Sequence, residues 1–209
     1  MGARSVYRAL CWLTGWAATA CATAGATALN VIPTADVIGS REAVLTHSVA
    51  GEQGRMRHTH AYSGQFGLGD RLEAGFDADY AGGTTLNAKV RLWESRNGRL
   101  AVAGGFTNFR KQSGDGYIVA TGDQGAYRLH GGWMNDGQKR WFVGADTVVF
   151  GDVSLMAEHL GGRGGSTYVG FAAPIKGVRG ASFGAFFGKP NTRHHPQEHG
   201  AFVSFGFRL

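Results

Sequence analysis

The chain has 209 residues, with 21 Lys and Arg against 15 Asp and Glu, a formal charge of +6, 35 glycines, four prolines and two cysteines. So much glycine argues against long helices and for strands joined by tight turns. Two cysteines are too few for a disulfide scaffold, and the mild charge is spread too evenly to suggest nucleic acid.

At the N-terminus Arg4 and Arg8 precede an apolar stretch, residues 9–20, that ends in small residues. This is the pattern of a cleaved signal peptide, assigned here to residues 1–28, with Ala-x-Ala cleavage sites ending at Ala24 or Ala28. The stretch is too short and too alanine-rich for a good transmembrane helix. Cys21 lacks the bulky aliphatic residue expected three places before a lipidated cysteine. Removal of the leader takes both cysteines and leaves 19 basic against 15 acidic residues, a charge of +4. The mature chain then has no thiol for a metal site or a nucleophile. No internal run approaches the roughly 20 apolar residues of a spanning helix, so any membrane crossing must be made by strands.

Residues 29–40 read as an extended lead-in, with Pro33 keeping its predecessor out of helix. Within it Leu29-Asn30-Val31-Ile32-Pro33-Thr34-Ala35-Asp36 resembles the N-terminal Asn-x-Pro-Thr/Ser-Ala element of bacterial barrel proteins linked to exopolysaccharide secretion. No function is carried over from so short a match.

From residue 41 the pattern is that of strands, with segments at 41–50, 59–67, 71–80, 84–94, 99–108, 117–122, 126–135, 141–150, 153–160, 166–174, 179–188 and 200–209. The clearest is 71–80, where Leu72, Ala74, Phe76, Ala78 and Tyr80 alternate with Arg71, Glu73, Asp77 and Asp79. Its neighbour sets Leu86, Ala88, Val90 and Leu92 against Asn87, Lys89 and Arg91. A hairpin around Gly82-Gly83 would bring Asp77 and Asp79 roughly opposite Lys89 and Arg91. Connections after even-numbered segments read as short turns, and those after odd-numbered ones as longer on average, which is the parity of a bacterial barrel. In the last segment Val203, Phe205, Phe207 and Leu209 share one face, and Ser204, Gly206 and Arg208 the other.

The fold expected over residues 41–209 is therefore all-β, an antiparallel up-and-down transmembrane barrel of about 12 strands. Leader, alternating strands and closing aromatic strand together resemble Gram-negative bacterial outer-membrane β-barrel proteins. Residues 198–205 resemble the polar-x-Gly-x-x-apolar-x-apolar sorting signal of such barrels, which implies an assembly signal formed by Gly200, Val203, Phe205, Phe207 and Leu209. It also implies the barrel-assembly machinery and outer-membrane lipid as partners. Tyr80, Trp133, Trp141, Phe150, Phe187 and Phe207, near strand ends, suit aromatic belts.

The candidate pore lining is Arg71, Glu73, Asp77, Asp79, Lys89, Arg91, Arg128, His130, Asp146, Glu158 and Arg208. Mixed signs suit either a narrow pore without strong ion selectivity or a filled, cross-linked interior. Inward glycines, Gly132, Gly144, Gly170 and Gly184, either leave room for a lumen or ease curvature. His195-x-x-Glu198-His199 matches an inverted zinc-protease string, but Pro196 interrupts it and a strand follows, so no metal is assigned. Twelve strands would also suit the outer-membrane phospholipase family in number. The chain has no His-x-Ser pair, however, and His47 and Ser48, being adjacent on a strand, point to opposite faces.

The function expected is a non-enzymatic bacterial outer-membrane barrel, a small pore or a structural or secretion-associated element, with no cofactor, no nucleic acid and a small solute as a possible partner. The alternatives are a lipid-modifying hydrolase or acyltransferase in the same fold, and a soluble periplasmic barrel that binds an apolar ligand.

Overall fold

The computed structural model describes residues 28–29, 31–54, 58–79, 83–110, 113–193 and 195–209. The leader through Thr27 lies outside the described residues, as do Asn30, Tyr80 and His194. Twelve strands follow one another: β1 (Glu42–Glu52), β2 (His58–Gly67), β3 (Leu72–Asp79), β4 (Gly83–Glu94), β5 (Leu100–Arg110), β6 (Ser113–Asp123), β7 (Arg128–Asn135), β8 (Lys139–Val149), β9 (Val153–Leu160), β10 (Ser166–Pro174), β11 (Ala181–Pro190) and β12 (Glu198–Arg208). Each pairs antiparallel with the next, and β1 pairs with β12 from Glu42 opposite Arg208 to Glu52 opposite Glu198, so the sheet closes. Closure leaves no edge strand, which is the condition for spanning lipid with strands.

The alternation read from the sequence sorts the two faces. Leu45, Leu72, Val143, Leu155, Val169, Val203 and Phe205 stand exposed on the outer wall. Trp133 and Trp141 are exposed and paired across β7 and β8 at the end opposite the chain termini, while Phe150 and Phe207 are exposed at the terminal end. An outer wall of this composition, banded by aromatics, matches hydrocarbon and its two interfaces.

Two expectations are corrected. The strands run further than the alternation suggested, so the connections after odd strands (53–57, 80–82, 111–112, 136–138, 161–165 and 191–197) are no longer on average than those after even strands (68–71, 95–99, 124–127, 150–152 and 175–180). The loop-length parity is therefore absent, although the strand number stands. The segment expected at 117–122 begins in the structure at Ser113, and the polar Ser113 and Asp115 extend its ladder opposite Arg110 and Thr107. The second correction concerns the β3–β4 register, which places Asp77 opposite Thr85 and Asp79 opposite Gly83, and brings Glu73 opposite Lys89. Three residues between the strands set that register, and turn length outweighs the attraction of the charges expected to meet.

The outer wall gives a direct test. Val169, near the middle of β10, is exposed there. Val169→Arg should destabilise the barrel by roughly 2–4 kcal/mol in a bilayer, whereas Val169→Leu should change little, as measured by urea-dependent folding into phospholipid vesicles.

Candidate functional site

The interior of this barrel is not empty. Leu29 and residues 31–38, read from sequence as part of a lead-in, run inside the lumen, with Leu29, Ile32 and Ala35 wholly buried, Thr34 at 1% exposure and Ile38 at 5%. It leaves β1 at the terminal end, where Gly39 lies so close to Gly67 that a Cβ on Gly67 would fall 1.9 Å from the Gly39 carbonyl oxygen. Arg41, at φ 62°, turns the chain from plug into strand. Ala28 forms an antiparallel bridge with Pro33, so the segment doubles back at its inner end.

Apolar contacts seat it. Leu29, Ile32 and Ala35 share one buried cluster with the inward side chains Ala103, Val119, Phe142, Met156, Leu160, Ala172 and Phe202. Gly144 makes room, since a Cβ there would lie 2.6 Å from Leu29 Cδ1 and 2.7 Å from Ile32 Cδ1. Gly132 and Gly184 likewise make way for the rings of Phe142 and Phe202. The inward glycines at 132, 144 and 184 thus accommodate material that fills the barrel.

Charged wall residues hold the plug backbone. Glu158 accepts the N–H groups of Val31 (2.7 Å) and Ile32 (3.2 Å). Glu73 accepts the Ile38 N–H at 3.0 Å, and Lys89 donates to the Thr34 carbonyl at 3.1 Å while lying 3.2 Å from Glu73. Arg128 bridges wall and plug, with Nη1 at 2.8 Å from Asp36 and Nη2 at 3.0 Å from Asp146. Beside it Asp146 meets His130 Nε2 at 2.6 Å, and His130 Nδ1 meets Thr121 Oγ1 at 2.9 Å. The order hydroxyl, imidazole, carboxylate is that of a nucleophilic triad. Here, however, the Thr121 oxygen accepts the Ala35 N–H at 2.8 Å, so the plug covers the hydroxyl. The three side chains form a buried, fully bonded latch for the plug, the arrangement that makes buried polar groups affordable.

The eleven residues expected to line a pore fall into groups. Glu73, Lys89, His130, Asp146 and Glu158 are buried inside, and Asp77, Arg91 and Arg128 partly so. Arg71, Asp79 and Arg208 are exposed at strand ends. Of the four residues expected to meet across β3 and β4, Asp77 is instead held by Asn87 (2.5 Å), Lys89 by Glu73 and Arg91 by Glu94 (3.2 Å). On β12, Val203, Phe205 and Phe207 are exposed on the outer wall, Leu209 is exposed after the strand, and Gly200 lies against the Phe186 ring. Glu198 accepts the Tyr168 hydroxyl (2.5 Å), while the His199 ring meets His58 edge-on, so the zinc-protease string is divided between two faces.

The described outer-wall histidines meet rings and a threonine. His47 stacks on His60 and Tyr62, and His159 bonds Thr167 (2.8 Å) beneath Trp141. Among these contacts no serine and no acid joins an imidazole.

No protein-family profile and no curated protein matches the chain. Solved structures do. The KdgM porin matches with a TM-score of 0.60 at 10% identity, over 79% of this chain and 99% of that one. The NanC porin matches at 0.58 and 11%, over 79% and 100%. The outer-membrane phospholipase A of Escherichia coli matches at 0.51 and 11%, over 81% and 91%. The fold is that of a Gram-negative outer-membrane barrel. At these identities the likeness is one of architecture, and porins and a phospholipase share it.

Glu73 and Lys89 couple plug and wall through a buried ion pair. Lys89→Met should lower stability by about 3–5 kcal/mol, because a buried carboxylate loses its partner. The double variant Glu73→Gln with Lys89→Met should recover much of that loss, as read from melting in detergent.

Proposed function

We propose that the chain, exported through a cleaved leader of residues 1–28, is a non-enzymatic barrel of the bacterial outer membrane that passes small solutes and is closed in the state described by its own segment 29–38. The terminal end then faces the periplasm and the opposite end the exterior. The observation that carries this reading is the use made of the lumen charges. Glu73, Lys89, Thr121 and Glu158 bind plug backbone with hydrogen bonds that an extended solute or water could equally accept or donate. A plug held by such bonds is exchangeable in a way that a covalently continuous wall is not.

A porin neighbour is described in complex with oligogalacturonate. A uronate is an anion, whereas the cavity above the plug presents the carboxylates of Asp77 and Glu73 and the amides of Gln65, Asn87 and Asn108, and its one lysine, Lys89, is paired with Glu73. The non-enzymatic reading is supported by the outer wall, where among the described residues no histidine meets a serine–acid pair, and by the cover that the plug gives Thr121.

Planar-bilayer recording tests the proposal. The mature protein should be silent or open only rarely, and a variant lacking residues 29–38 should conduct in discrete steps. Silence from a deletion variant that is folded, as judged by its heat-dependent gel mobility, would overturn solute passage and leave a structural or secretion-associated barrel.

A further inference from the structure

Beyond the plug the lumen continues toward the far end as two joined cavities. The inner one, about 260 Å³, has Val31 and Pro33 of the plug in its lining, together with Gln65, Asn87 and Tyr117. The outer one, about 400 Å³, is lined by Ser48, Thr85, Phe186 and Phe202 among others. Ser63, Asp77 and Asn108 line both, so they form the waist at which the two cavities adjoin.

The waist is built with care by the sheet. The β4–β5 register shifts between Leu86 and Ala88, and the β5–β6 register between Thr107 and Arg110. Asn108 sits in this irregularity at φ 55°, a conformation asparagine tolerates better than most residues. Its N–H donates to Asn87 Oδ1 (3.1 Å), and Asn87 Nδ2 donates to Asp77 Oδ2 (2.5 Å), which fixes the carboxylate. Asn108 Nδ2 is spent on Asp115 (2.8 Å). Among the described residues Asp77 has no basic side chain at ion-pair distance. Lys89, at the inner cavity, is tied to Glu73 and Thr34, and the Arg110 guanidinium stands over Gly83, the register partner of Asp79.

We propose that Asp77 is the recognition group for a small hydroxylated ammonium solute, of the chemical class of the amino sugars, bound at this waist. The inference rests on the reading of the barrel as a solute pore. A fixed carboxylate without a cation selects positive charge. The hydroxyls of Ser63 and Thr85 and the side chain of Asn108 suit a polyol, and the rings of Phe186 and Phe202 border the outer cavity with apolar surface. Because the plug residues Val31 and Pro33 floor the same space, a solute held at Asp77 sits directly above the segment it must displace.

Three sugars of one size and different charge decide the matter: glucosamine, glucose and galacturonate, titrated calorimetrically into the refolded mature protein in detergent. Glucosamine should bind at least about tenfold more tightly than glucose, and galacturonate should not bind. Asp77→Asn should bring glucosamine to the level of glucose, while Asp136→Asn, which removes a carboxylate paired with Arg140 at the same end, should leave the preference intact. Equal binding of all three, preference for galacturonate, no binding of glucosamine, or an unchanged preference in Asp77→Asn would each overturn the site. The outcome is separable from that of the pore, because binding is read without conduction. Tight glucosamine binding by a barrel that never conducts would retain the site and remove the pore, and conduction without preference would do the reverse.

Discussion

Everything in this molecule depends on one constraint: in hydrocarbon, each backbone N–H and C=O must find a partner within the protein. An open sheet fails that condition at both edges, and the pairing of β1 with β12 removes them. Closure then forces the two-residue period to divide side chains between lipid and lumen. It also creates an inside that must hold whatever the outside rejects.

What fills that inside is the chain itself. A twelve-stranded barrel is narrow enough that inward Phe142, Phe202 and Met156, together with Leu29 and Ile32 of the plug, make a continuous apolar cluster across it. The charges form a second layer of the same packing. Glu158, Glu73 and Lys89 each serve a plug amide or carbonyl, so the polar groups of wall and plug satisfy one another in a place with little water. The interior is therefore neither a bare pore nor an inert core. It is a binding site occupied by an extended peptide, and its unoccupied remainder lies on the outward side.

The likeness to the KdgM and NanC porins at 10–11% identity is what this constraint allows. Alternation, closure and strand number can be met by many sequences, so the wall by itself says little about function. What is particular to this chain lies in lumen positions such as Asn108, whose unusual torsion places its N–H on Asn87. Porins and a phospholipase share this architecture, so the barrel by itself does not fix the chemistry.

Strand number, antiparallel order and the face of residues such as Glu73, Leu72 and Phe205 were legible in the sequence, because a period of two is a local property that neighbours cannot alter. Strand ends were not: β6 continues through the polar residues Ser113 and Asp115, where no apolar alternation marks it. The pairing of Lys89 with Glu73 in place of Asp77 was decided by how few residues join β3 to β4, a matter of turn closure that charge pattern does not report. The plug left a trace, apolar residues at Leu29, Ile32, Ala35 and Ile38 at a spacing of three, in a segment with no strand partner of its own. That spacing becomes meaningful only beside the Gly144 hollow and the carboxylate of Glu158, which the closed barrel brings from more than a hundred residues away. By itself the sequence determined which side chains face in and which face out. Only the tertiary structure decided what they meet there, because a lumen exists only after the last strand has paired with the first.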